Sequence, residues 1–396
     1  MRALRPTTLL ALLLGLAPGC VDRVIHDGSC GDGRLGRGEL CLGLGPRSEL
    51  EVDTIAPLAL RTGDFDGDGH ADLMVLGTDP AGTVDARLWR GDGTGAFADP
   101  IDPSVFGCSA HPVPGALDDD AITDLLVDEC GPSVSLFRGT STGVFEPPIS
   151  VPTGVATFGS GLFDIDEDGL TEVVVLGRLE AGGMALSIAE QDESGIFAAP
   201  VLNPIEGLGF PFEPNGFGLL DFDGDPLPDL LYVQGGASEA LAVAPGQTGL
   251  RFGSLLPVTP PGLRVSWATA RDLDGDGGVE VLVGSFDDEA LIVLDPSDGA
   301  LHERTRTRAP GLEASPLALG DLDDDGTLDL LRARSGSAEL EAYLGSRRGD
   351  FSGPSELGLD APVDQIALVD LDDDGALDIV AGSFLEARVR VLLSDP

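Results

Sequence analysis

The chain has 396 residues and a formal net charge of −45, and all 23 of its basic residues are arginine. Such a charge repels a phosphate backbone and an anionic lipid surface, which excludes nucleic acid as a partner and limits membrane contact to a covalent anchor. The absence of lysine removes Schiff-base and lysine general-base chemistry.

Residues 1–19 read as an export signal: Arg2 and Arg5 precede an apolar run from Leu9 to Leu16 that is too short to span a bilayer, and Ala17, Pro18 and Gly19 follow. Cys20 then resembles the lipidated first residue of a bacterial envelope lipoprotein, with plain secretion as the alternative. Residues 20–44 are expected to form a linker with a small Cys-rich loop, because Cys30 and Cys41 bracket a glycine-rich stretch. With Cys108 and Cys130 the remaining cysteines are even in number, and in an exported chain that points to two local disulfides. A thiol metal site is the competing reading, but no CxxC spacing supports it.

From Asp64 onward an acidic nine-residue loop recurs seven times, with acids at positions one, three, five and nine. The first copy presents Asp64, Asp66, Asp68 and Asp72. The second starts at Ala116, so it keeps only Asp118, Asp120 and Asp124, and it has Ala121 where glycine is usual at position six. The third presents Asp164, Asp166, Asp168 and Glu172. Asp221, Asp223, Asp225 and Asp229 make the fourth, with Pro226 at position six. Asp272, Asp274, Asp276 and Glu280 make the fifth, Asp321, Asp323, Asp325 and Asp329 the sixth, and Asp370, Asp372, Asp374 and Asp378 the seventh. So regular a recurrence is the mark of a repeat architecture.

Each repeat runs in the same order: an apolar segment into the loop, a second out of it such as Val173 to Leu176, a third strand, then a Gly-rich turn and an aromatic, as at Gly93, Gly95 and Phe97. Four short strands per repeat indicate an antiparallel sheet. The strand leaving the loop is apolar on both sides, so both faces of its sheet must be covered. The expected fold over residues 45–396 is therefore all-β, a seven-bladed propeller of four-stranded antiparallel blades. The last repeat stops after three strands at Val389, Val391 and Leu393, and the unassigned stretch around Leu50, Val52 and Ile55 is expected to close its blade.

Oxygen donors at alternate positions converge on one hard cation when the backbone curls, with a carbonyl near position seven completing the shell, and calcium suits such a site better than magnesium. Position twelve holds Val75, Val127, Val175, Tyr232, Val283, Arg332 or Ala381, so the bidentate Glu of an EF-hand is missing in every copy. The competing reading is that these aspartates only cap tight turns.

These in-register loops resemble the FG-GAP or VCBS repeat family, which builds the propeller of integrin α subunits and of many bacterial surface proteins. The resemblance implies calcium held at positions one, three, five and nine of each loop, with copy two weak or empty and the geometry of copy four in doubt. Cys108 and Cys130 flank copy two, where a disulfide would replace the closure that metal supplies elsewhere.

No nucleophile or histidine constellation is visible among His26, His70, His111 and His302, so the chain is expected not to be an enzyme. The expected role is a monomeric, calcium-bound recognition or adhesion scaffold at the cell envelope with a protein or glycan ligand. A polysaccharide-acting lyase or hydrolase, or a lectin using Trp89 and Trp267, is the alternative. An insertion between the third and fourth repeats carries Phe210, Phe212 and Phe217, either a ligand loop or rings packed between blades. Arg304, Arg306 and Arg308 alternate, which places them on one strand face, either paired with acids or forming a solvated edge.

Overall fold

A computed structural model of the chain describes residues 24–27, 39–42 and 48–394, apart from 53–55, 79–83, 108–111, 119, 130, 167, 193, 206–216, 226, 235–239, 286, 312–316, 335–336, 360 and 384–385. Every element among the described residues is a strand. Blade one runs Ala56–Gly63, Asp72–Thr78 and Val84–Trp89, and blade two Val113–Gly115, Asp124–Asp128, Ser133–Phe137 and Ile149–Pro152. Blade three is Val155–Phe163, Glu172–Leu179, Met184–Ala189 and Val201–Ile205; blade four is Phe217–Leu220, Asp229–Gln234, Ala240–Ala244 and Leu256–Pro257. Blade five comprises Trp267–Arg271, Glu280–Ser285, Ala290–Ser297 and Ala300–Arg308, and blade six Leu317–Gly320, Asp329–Ala333, Glu339–Leu344 and Ser352–Gly358. Blade seven is Gln365–Val369, Asp378–Ser383 and Arg388–Leu392, completed by Ser48–Glu51 from the other end of the chain.

The packing explains why the second strand of each blade is apolar on both sides. Val173 and Val175 of blade three pack toward blade two, whereas Val174 and Leu176 pack toward blade four. The buried apolar side chains form seven clusters, each joining two successive blades, and the last joins blade seven to blade one. A strand sandwiched in this way has no solvent face, so alternation gives way to a continuous apolar run.

Ring closure follows the expectation. Leu50 pairs with Val389 in an antiparallel ladder, and Val52 is buried between blades seven and one. Two details differ. Blade one has three strands, with Ile101 joining Leu88 only by an isolated bridge; Pro100 and Pro103 on either side of Ile101 have no N–H to extend the ladder. In the segment expected to be a linker, Val24–Asp27 pairs in parallel with Glu39–Leu42. The signal segment, Cys20, Cys30, Cys108, Cys130, Phe210, Phe212 and Pro226 lie outside the described residues, as do the side chains of Cys41 and Phe217.

Candidate metal centres

Each acidic loop joins the first and second strands of its blade, which places all seven on one face of the ring. The loop closes through a repeated set of hydrogen bonds. The amide of position two donates to the position-nine carboxylate in all seven copies, from Phe65 to Asp72 at 2.8 Å through Leu371 to Asp378 at 2.8 Å. The side chain at position two is buried in every copy, as Phe65, Leu117, Ile165, Phe222, Leu273, Leu322 and Leu371. That anchor was not singled out in the sequence, although its constant apolar character between two acids was the available signal.

Position five accepts the amide of position seven throughout, as in His70 to Asp68 at 3.0 Å and Ala376 to Asp374 at 2.9 Å. Position one accepts amides inside the curl, with Gly67 and Gly69 donating to the two oxygens of Asp64. Position six takes a left-handed φ in each of the six copies where it is described, and Ala121 adopts it at 63° where copy two lacks glycine. A second left-handed residue was missed: position four, where Asp324 and Asp373 stand at φ 51° and 57° and glycine stands in copies one, four and five. Gly and Asp tolerate that region, so the alternation of those two types at position four was its trace.

Turn capping therefore leaves carboxylate oxygens in these loops that could also hold an ion. The carboxylates of Asp64, Asp66 and Asp72 bring ligand atoms within 4.8 Å of one another, as do Asp164, Asp166 and Glu172; Asp221, Asp223 and Asp229; Asp272, Asp274 and Asp276; and Asp321, Asp323 and Asp325. Among the described residues, carboxylate oxygens at expected ligand positions on Asp66, Glu172, Asp370 and Asp372 are buried without a hydrogen-bond partner. A buried anionic oxygen left unpaired is costly, and an ion satisfies it. The residues present thus fit a metal ion held by oxygen ligands.

The electrostatics agree. Burial, with neighbouring carboxylates adding to it, pushes the position-nine carboxyls up: Asp72 and Asp124 to about 6, and Glu172, Asp329 and Asp378 to about 7. A bound cation would favour the ionised form and reverse this shift. In five copies both position-nine oxygens are also engaged by backbone, the second accepting the amide of Gly91, Gly139, Gly246, Gly345 or Ser394 at the end of the third strand. Position nine is thereby a latch between strands as well as a candidate ligand.

Adjacent loops touch around the ring. Thr123 of copy two donates its amide to the Asp64 carbonyl at 2.7 Å, and His70 Nδ1 lies 2.6 Å from Asp373 Oδ2 across the seam between the first and last blades. No task for the His70 imidazole is visible in the sequence; the folded ring pairs it with Asp373.

Comparison with known proteins agrees with this geometry. Residues 64–127, 272–332 and 321–381 match the FG-GAP-like repeat, and each match begins at position one of an acidic loop. No curated protein matches the chain. Among solved structures it is similar to a periplasmic gluconolactonase from Pseudomonas aeruginosa, at 16% identity and a TM-score of 0.47, covering 74% of this chain and 83% of that one. It is also similar to a putative 6-phosphogluconolactonase from Bacteroides fragilis, at 14% identity and a TM-score of 0.49, covering 83% of this chain and 94% of that one. Both bear enzyme names, whereas the sequence led to the expectation that this chain is not an enzyme; that expectation is withdrawn, because the lack of a histidine or cysteine constellation was no ground for excluding catalysis. At such identities the likeness is one of fold. The chain is a seven-bladed propeller in which residues 64–127, 272–332 and 321–381 match the FG-GAP-like repeat.

Proposed function

We propose that the protein is an exported propeller, stiffened by calcium in its acidic loops, that presents the opposite face of the ring for recognition at the cell envelope. The observation that carries the metal part is the set of buried, unpartnered oxygens on Asp66, Glu172, Asp370 and Asp372. Oxygen-only ligands on flexible carboxylates suit calcium. Export and attachment rest on the signal segment and Cys20, and Cys20→Ala is expected to abolish acyl labelling; labelling that persists would overturn the anchor.

On the opposite face, at the border of blades two and three, Ser160 donates to Asp128 at 3.3 Å, and the Asp128 carboxyl is pushed up to about 6 by burial. Two residues before Ser160, at a bulge between Thr157 and Gly159, Phe158 is 37% exposed. Bulges re-aim side chains near working sites, and an exposed ring beside polar groups suits a sugar or peptide.

A sugar-directed enzyme is the second reading, and Asp128 favours it, because a carboxyl poised near 6 can donate and accept a proton close to neutral pH. A gluconolactone and a panel of polysaccharides are the first substrates to try. If turnover occurs at this site, Asp128→Asn lowers it on the order of 100-fold, and turnover indifferent to that change places the chemistry elsewhere. For the recognition reading, Phe158→Ala is expected to abolish glycan-array or pull-down binding, and unaltered binding counts against this face.

A further inference from the structure

Copies three and five both carry glutamate at position nine, and this makes them an internal comparison. In copy three, Glu172 Oε1 is buried and has no hydrogen-bond partner. In copy five the corresponding oxygen of Glu280 accepts from Arg304 Nη2 at 3.1 Å. The same guanidinium donates through Nη1 to Asp274 at 2.6 Å, and its Nε lies 2.6 Å from Asp295. Position three and position nine of this loop are thus already bridged by a cation belonging to the chain.

A local irregularity puts Arg304 there. Val293 pairs with Thr305 and Leu294 with Glu303, so Arg304 is the extra residue of a β-bulge. Alternation would leave it on one face with Arg306 and Arg308; the bulge turns it into the loop instead. Arg306 pairs outside with Glu303 and Asp288, while Arg308 stays largely in solvent beside Glu289. The neighbouring blade leaves room for Arg304: Gly349, at φ 71°, lies so close that a Cβ there would fall 2.8 Å from Arg304 Nη1. The side chains of Asp274 and Glu280 are only 6% and 4% exposed, and that of Arg304 25%.

We infer that Arg304 is the resident cation of the acidic loop Asp272–Glu280, so that copy five takes no divalent ion while other loops do. An ion on this loop would sit within a few ångströms of the guanidinium, bound to the same two carboxylates, and the like charges repel. The contrast with other loops rests on the calcium reading above. In copies one and two, Arg90 and Arg138 stand 3.6 Å from Asp66 and Asp118 and engage no position-nine carboxylate.

Counting bound calcium by native mass spectrometry tests this on the exported chain. Asp272→Asn with Asp276→Asn is expected to leave the count unchanged, and Arg304→Gln to raise it by one, with added calcium raising the melting temperature of that variant more than that of the wild type. Arg304→Lys, which keeps the charge, is expected to gain no ion. Loss of one ion in the double variant, or a folded Arg304→Gln with no additional ion, overturns the inference. If the wild type binds no calcium, the reading of the other loops fails, and the Arg304→Gln result still decides the role of Arg304. If Arg304→Gln does not fold, anomalous scattering from manganese-soaked wild-type crystals decides: a peak in loop five refutes the inference, and peaks in other loops but not there uphold it.

Discussion

At Asp378 one buried carboxylate accepts the amides of both Leu371 and Ser394, tying the acidic loop to the end of the third strand. Asp378→Ala leaves two buried N–H groups unpaired, which is expected to cost about 2–4 kcal/mol. Denaturant unfolding in EDTA isolates that loss from any lost ion, and a change under about 0.5 kcal/mol would refute the latch. Asp128 gives a pH dependence. Its folded carboxyl is raised to about 6 from 3.8, so between those values the folded chain binds more protons than the unfolded one and stability falls as pH rises. Relative to Asp128→Asn, the wild type should lose about 2 kcal/mol between pH 4 and pH 6.5. A parallel pH profile for the two proteins contradicts the raised value. Single residues were the scale least legible in the sequence: the acids at positions one, three, five and nine declared themselves, whereas the tasks of Phe65, His70 and Asp373 depend on chain segments brought together only by folding.

Elements were legible where they obey a period and illegible where they break it. Second strands announced themselves by two-sided apolarity because each is covered by both neighbouring blades. Blade one fell short of four strands because prolines flank Ile101, a local cause that a repeat pattern overrides on paper. Arg304 was misplaced for the opposite reason, since period two has no provision for a bulge. The closing strand was legible from what the last repeat lacked. Removing residues 20–52 is expected to lower the denaturant midpoint and promote self-association, because the edge of Arg388–Leu392 loses its partner Ser48–Glu51. A truncated chain that stays monomeric and equally stable would show that closure contributes little.

Over the whole molecule, a net charge of −45 is gathered in part onto one face, where seven acidic loops stand side by side around the ring. Without cations those carboxylates repel one another within and between neighbouring loops, against the apolar clusters that hold the blades together. Cations at several loops, as proposed above, would turn that repulsion into cross-links between strands. The seven-fold architecture and the acidic face were therefore readable from spacing alone, whereas the groups proposed for recognition on the opposite face, Asp128 and Phe158, belong to no motif the sequence displays. Thermal unfolding of the exported chain in EDTA, followed by return of calcium or magnesium, addresses the central claim. Several sites filled well above their dissociation constants are expected to raise the melting temperature on the order of 10 °C, with calcium restoring it and magnesium restoring less. An identical melt with and without EDTA would contradict the calcium propeller.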